Sequence, residues 1–363
     1  GDVVEFNGSK SRGGGGATVW IKADENPVVD LGPSGSWDDF WATYPTVLYD
    51  GATYKMWYTG HDGMNARIGY ATSSDGITWT KYAGNPVLNL GSLGSWDDTY
   101  VVCATVLYEG TTYKMWYSGG VVGYLGIGYA TSPDGITWTK DPANPVLNLG
   151  SPGSWDDTYV LCSTVLYEGT TYKMWYSGGV VGYLGIGYAT SPDGITWTKD
   201  PANPVLNIGP PGSWDDDEVY CPTVVYDGTT YKMWYAGYDG ANSRIGHATS
   251  PDGITWTKSG ANPVVDLGPP GSWDEDYAYY PNVLYDGTIY EMWYTGQDGI
   301  NHRIGHATSP DGTTWTKNAS NPVLDLGPPG SWDDVDVFSP FVLYDGTTYK
   351  MWYSGDDGSN NDR

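Results

Sequence analysis

Apolar and polar positions alternate along this chain in short runs that break at glycine, proline and aspartate. In Thr223–Gly237 (TVVYDGTTYKMWYAG) one alternating run stops at Asp227-Gly228 and a second starts at Tyr231. Asp-Gly between two such runs is a strong hairpin signal. Arg244–Lys258 (RIGHATSPDGITWTK) repeats the arrangement around Asp252-Gly253. The pattern predicts four strands: Thr223–Tyr226, Tyr231–Ala236, Arg244–Thr249 and Thr255–Lys258. A Pro/Gly loop, Asn262–Ser272, leads onward. No stretch has the 3.6-residue apolar period of an amphipathic helix. No apolar run approaches the roughly 18 residues that would span a membrane.

The same nine residues, SPDGITWTK, stand at Ser132–Lys140, Ser191–Lys199 and Ser250–Lys258, with near copies at Ser73–Lys81 and Ser309–Lys317. Each copy begins 59 residues after the last. Tryptophan follows the same interval. Trp37, Trp96, Trp155, Trp214, Trp273 and Trp332 sit in GSWD, and Trp57, Trp116, Trp175, Trp234, Trp293 and Trp352 in MWY. A third set, from Trp20 to Trp315, stands two residues before a lysine; only Trp41 falls outside all three. Six repeats of four strands predict an all-β fold, a six-bladed β-propeller of antiparallel blades forming one domain over residues 1–363. A lone four-stranded sheet exposes two apolar faces, so each blade needs its neighbours. The last repeat stops after its second strand. The segment Asp2–Lys22 is expected to close the ring by supplying the third and fourth strands of that blade, with DVVEFNGS as a poorly matched third strand.

Composition sharpens this picture. There are 19 Trp and 32 Tyr against 4 Phe, with 52 Gly and 24 Pro, as turn-rich β structure requires. The net charge of −26 argues against nucleic acid as a partner. Cys103, Cys162 and Cys221 occupy one position in three successive repeats. They are neither a disulfide framework nor a metal-binding CxxC, and read as small buried side chains. No Cys/His cluster of zinc spacing occurs. A chain opening on Gly1 reads as a processed form, and an extracellular location is inferred.

PTVLYDG, YKMWYTG, RIGYATSSDGITWTK and NPVL together resemble the propellers of arabinanase, levansucrase and invertase-like glycosidases. SPDGITW is also similar to the Asp box of sialidases, one residue shorter. The resemblance covers almost the whole chain and implies the fold, a carbohydrate ligand and secretion. The furanosidase group usually has five blades rather than six. The RDP and EC motifs of invertase-like members and the arginine triad of sialidases are not found, so the resemblance does not fix an activity.

A single ligand at the channel mouth requires departures from sixfold sameness. Four residues after each GSW tryptophan stand Trp41, Tyr100, Tyr159, Glu218, Tyr277 and Asp336. Aromatic faces suit the C–H surfaces of sugars, and two carboxylates suit acid–base work, so Glu218 and Asp336 are the candidate catalytic pair. The alternative is a ring that merely plugs the channel. The loops after the second strand carry Asp62 and Arg67, Asp239 and Arg244, and Asp298 and Arg303 in repeats one, four and five, but GGVVGYLG in repeats two and three. These polar residues are candidate ligand contacts, either as a carboxylate clamp or, more simply, as Arg–Asp pairs within each loop. The acid pairs after GSW, from Asp38-Asp39 to Asp333-Asp334, are read as loop hydrogen-bonders, with a bound Ca²⁺ as the alternative and no other cofactor. Repeats two and three differ at only four of 59 positions, which favours repeated binding sites over a tuned catalytic centre. Three functions follow: a carbohydrate-active hydrolase, a lectin-like module, or a self-assembling surface-layer or filament subunit.

Overall fold

A computed structural model describes residues 2–6, 20–121, 123–359 and 363, with the backbone only at 2–6 and 162. The described residues contain strands and no helix, so none crosses a membrane as a helix. Strands connect as four-stranded antiparallel meanders. In the fourth repeat they are Glu218–Tyr226, Tyr231–Tyr238, Ser243–Ser250 and Thr257–Lys258. The first strand thus starts five residues earlier than the apolar pattern suggests, and the fourth is shorter. Inner strands begin at Trp41, Tyr100, Tyr159, Glu218, Tyr277 and Asp336. Each lies against the next, and the strand beginning at Asp336 lies against the one beginning at Trp41. The sheet containing Asp336–Tyr344 and Tyr349–Asp356 is completed by Asp2–Phe6 and Trp20–Lys22. Val4 pairs with Met351 and with Lys22, so the weakly matched segment takes the third-strand place. Residues 7–9, read as part of that strand, lie outside the described residues.

The sequence repeats because each meander is finished by its neighbour. Trp57 is almost wholly buried, and its Nε1 donates to the Gly135 carbonyl in the next repeat's Asp-Gly turn at 2.9 Å. Its ring lies 5.7 Å from Tyr113 and edge-on to Trp138 at 6.1 Å, both in that next repeat. Trp116, Trp175 and Trp234 make the same bond to Gly194, Gly253 and Gly312. In each turn aspartate shapes the loop: Asp134 Oδ1 accepts the N–H groups of Ile136 and Thr137 at 2.8 and 2.7 Å. These bonds hold its carboxyl down at about 2. Between the last and first repeats, Tyr54 Oη donates to Asp345 at 2.6 Å and Lys350 lies over the Tyr54 ring.

The paired acids of GSWD are structural. Asp156 is buried; its Oδ2 accepts Lys199 Nζ at 2.5 Å and Tyr176 Oη at 3.2 Å. The second acid, Asp157, accepts the Gly153 N–H at 2.6 Å. These carboxylates therefore face lysine, tyrosine and backbone donors, as the loop-bonding reading expects. The GSW indole lies flat on its sheet only because glycine is opposite: a Cβ on Gly246 would sit 2.4 Å from Tyr235 and 2.7 Å from Trp214.

His247 takes the place held by Tyr70, Tyr129 and Tyr188 in other repeats and is buried beside Trp234. Burial, helped by nearby Lys232 and opposed by Asp311, lowers its pKa from 6.5 to about 4. Above pH 6.5 both folded and unfolded chains hold it neutral. As pH falls from there towards 4, only the unfolded chain takes the proton, so stability is lost, by about 2 kcal/mol at pH 5. Urea denaturation at pH 7.5 and 5 is expected to show a smaller loss in His247→Tyr than in wild type; an equal loss would refute the assignment.

Candidate functional site

The six ring positions are the first residues of the inner strands, and all are half-buried. Across the hairpin, Glu218 pairs with Tyr238, Tyr277 with Gln297, and Asp336 with Asp356. Each also meets the start of the preceding repeat's third strand: Ala66 beside Tyr100, Leu125 beside Tyr159, Leu184 beside Glu218 and Ser243 beside Tyr277. In the remaining described case His302 stands beside Asp336.

The ring divides into two halves. In repeats one to three it carries Trp41, Tyr100 and Tyr159, with Thr43, Val102 and Leu161 one step below on the same face. Trp41 stacks on His61 at 4.5 Å, and His61 lies parallel to Tyr100 at 6.4 Å. Burial lowers the His61 pKa, and its Nδ1 accepts the Gly63 N–H. In repeats four to six the ring carries Glu218, Tyr277 and Asp336, with Tyr220, Tyr279 and Phe338 below. Tyr220 Oη and buried Ser243 Oγ are 3.2 Å apart. Tyr279 lies 4.5 Å from Tyr280 and 6.0 Å from His302. The inner strand that begins at Tyr277 stands between Glu218 and Asp336.

The two carboxylates have different surroundings. Glu218 lines a cavity of about 310 Å³ with Tyr159, Leu161, Val180, Val181 and Leu184. Burial there, with the adjacent Asp217 charge, raises its pKa. Asp336 Oδ1 accepts both the backbone N–H of His302 at 2.6 Å and its Nδ1 at 2.9 Å. Across from it, burial and the charges of Asp336 and Asp357 raise the pKa of Asp356. Among the four histidines, His61 and His302 belong to this mouth. Their signal in sequence is a lone exchange: His302 replaces alanine, leucine or serine one position before the loop arginine, or its equivalent in the apolar loops.

The loop arginines do not converge. Arg67, Arg244 and Arg303 each pair with Asp62, Asp239 and Asp298 of their own loop at 2.8 Å. Arg244 and Arg303 also reach Asp266 and Asp325. The loop aspartates further accept backbone N–H groups, as Asp62 does from Met64 and Asn65. The six residues expected to contact a ligand therefore close their own loops, and a shared clamp is not formed. Arg363 makes the matching contacts in the sixth repeat, to Asp357 and Asp30.

Below the mouth the inner strands bulge, and Tyr44, Cys103, Cys221, Tyr280 and Ser339 adopt φ of about +50°. They line a channel cavity of about 270 Å³ with Thr46 and Thr223 among its other walls. Thr46 and Thr223 donate to the carbonyls of Ala104 and Pro281 in the next repeat. Cys103 and Cys221 are thus partly exposed channel residues, which corrects their reading as buried; the side chain of Cys162 lies outside the described residues. A small alkylating agent such as iodoacetamide is expected to modify both Cys103 and Cys221 in the folded protein, read by peptide mass spectrometry. Modification only after denaturation would contradict this placement.

No family model matches the chain. Among solved structures it is similar to a thermostable family-43 glycoside hydrolase (TM-score 0.56, 18% identity, covering 79% of this chain and 95% of that one). Comparable likeness extends to a glycosyl hydrolase from Bacteroides ovatus (TM-score 0.55, 17% identity, 86% and 99% coverage) and to the family 117 glycoside hydrolase Zg3597 of Zobellia galactanivorans (TM-score 0.51, 16% identity, 73% and 82%). The fold is therefore the all-β propeller of glycoside hydrolases. A shorter match, 27% identical over 176 residues, covers 45% of this chain and 22% of an A type blood N-acetyl-alpha-D-galactosamine deacetylase from Flavonifractor plautii. Uncharacterized protein Rv1502 of Mycobacterium tuberculosis is 30% identical over 283 residues, 73% of this chain and 91% of its own length. On that match the chain belongs to the same family as Rv1502 and its counterpart MT1551.

Proposed function

We propose that this protein is an extracellular, carbohydrate-active propeller that binds a glycan at its mouth and hydrolyses a glycosidic bond. In this reading the six meanders are six blades of a single domain, closed where the N-terminal strands complete the last blade. Glu218 is the proton donor, and Asp336 is the base or nucleophile. Trp41, Tyr100, Tyr159 and Tyr277 supply stacking faces for the sugar rings.

The observation that carries the proposal is the unequal treatment of the two ring carboxylates. Glu218 is raised by burial in a cavity it shares with Tyr159, which suits an acid that must keep its proton. Asp336 accepts two N–H donors from His302, which orients a carboxylate as an acceptor. A mouth with aromatic faces on one side and hydroxyl and carboxyl groups on the other is suited to a ligand with apolar C–H faces and polar edges.

A lectin-like role is the second reading. It is favoured by a groove of about 440 Å³ beside Trp96, Tyr124, Pro145 and Asn148 in the second repeat, outside the ring. The readings part on turnover. With a panel of aryl glycosides and glycan oligomers, Glu218→Gln and Asp336→Asn are each expected to lower kcat by about 10²–10⁴-fold with modest change in KM. The limb of the pH profile that reports loss of the Glu218 proton is expected above the range of an ordinary glutamate. Full activity in both variants would remove the catalytic assignment. Binding without turnover in wild type would favour the lectin.

A further inference from the structure

One structural position touches both ring carboxylates from outside their own strands. It is the first residue of the preceding repeat's third strand, or its pairing equivalent. Leu184 holds it beside Glu218, and His302 holds it beside Asp336. Elsewhere it is Ala66, Leu125 or Ser243, next to aromatic ring residues. We infer that this position assigns the two carboxylates their separate roles: His302 positions Asp336 as a proton acceptor, and Leu184 keeps Glu218 without a donor. The inference rests on the acid–base reading above and names the residues that act through it.

The geometry makes His302 a directed donor. A carboxylate oxygen only accepts, so the 2.9 Å contact places the imidazole proton on Nδ1. The backbone N–H of the same residue donates to the same oxygen, which fixes the carboxylate against the strand edge. The ring itself is held between Tyr279 and Phe338, each 6.0 Å away. Around Asp336 the other titratable groups are Asp356 across the hairpin, Asp357 beside it and Tyr279 on the neighbouring strand.

Around Glu218 the corresponding groups are Asp217 in the chain, Tyr238 across the hairpin, Tyr220 below and Tyr159 in the shared cavity. None of these is a cation. Leu184 adds an apolar wall where the equivalent place at Asp336 has an imidazole. A carboxyl in that setting keeps its proton to higher pH than one facing a donor.

The test uses the full chain and needs no known substrate. In ¹⁵N-histidine-labelled wild type, the His302 ring, assigned through His302→Asn, is expected to carry its proton on Nδ1. A neutral ring protonated on Nε2 alone would overturn the assignment. In protein labelled with ¹³C-glutamate, Leu184→His is expected to move the Glu218 titration midpoint down by about one pH unit. An unmoved midpoint in the folded variant would overturn it equally; should that variant not fold, the wild-type spectrum still decides. Where aryl glycoside turnover is found, His302→Asn, which keeps a donor at the Nδ1 place, is expected to retain kcat within a few-fold. His302→Leu is expected to lose about 10²-fold in kcat with KM little changed. Equal losses in both would refute the positioning role. Absence of turnover in wild type would remove the hydrolase reading alone, because both spectroscopic arms would still report.

Discussion

The structure depends on an indole that belongs to one repeat and is buried by the next. Trp57, Trp116, Trp175 and Trp234 each donate to a turn carbonyl one repeat onward while their rings enter that repeat's aromatic cluster. A second-strand tryptophan left without its neighbour would expose a large apolar face and an unpaired N–H. Removing one such side chain from a core typically costs about 3–5 kcal/mol. The repeat interval, the Asp-Gly turn and the glycines beneath the GSW indole all serve that arrangement. The fold is therefore read most directly from the residues that do not vary.

For this reason the architecture is legible in the sequence and the chemistry less so. A periodic tryptophan can be recognised without knowing where its ring points, because each copy is buried against the next repeat even where a neighbouring tyrosine is exchanged for histidine. The six ring positions are also visible, since a single residue type changes at a fixed place. In the fourth repeat the first strand starts five residues before the apolar pattern does, because a bulge between Tyr220 and Thr223 interrupts the alternation while pairing continues back to Glu218. The sequence leaves the loop arginines open between a shared clamp and pairs within each loop, because an arginine near an aspartate along the chain does not by itself show their 2.8 Å pairing. The cysteines mislead for a similar reason. A bulge at positive φ turns a residue from the sheet face towards the channel, and no apolar alternation records that. His302 stands out as a lone exchange, but its partner does not, because Asp336 lies 34 residues away on the next repeat.

The departures from symmetry gather in one half of the ring. Repeats one to three present Trp41, Tyr100 and Tyr159 to the mouth, while repeats four to six present Glu218, Tyr277 and Asp336 with Tyr220 and Tyr279 beneath them. The duplicated second and third repeats fall wholly in the aromatic half. Near-identity there is consistent with a surface that needs breadth and little individual tuning. The other half carries the changes that alter charge and hydrogen bonding, and there Asp336 and Tyr220 have polar partners on adjacent strands while Glu218 meets Leu184.

The inward bulge has a further consequence for how such a molecule can change. Tyr44, Cys103, Cys221, Tyr280 and Ser339 share one backbone shape yet differ widely in size and chemistry. All five line the channel cavity, and three of them also tie repeats together: the backbone N–H groups of Cys103, Cys221 and Ser339 donate to the hydroxyls of Thr59, Ser177 and Thr295 in the preceding repeat. The width and polarity of this aperture can therefore vary only among side chains that a left-handed backbone tolerates, which sets β-branched replacements apart as the costly ones.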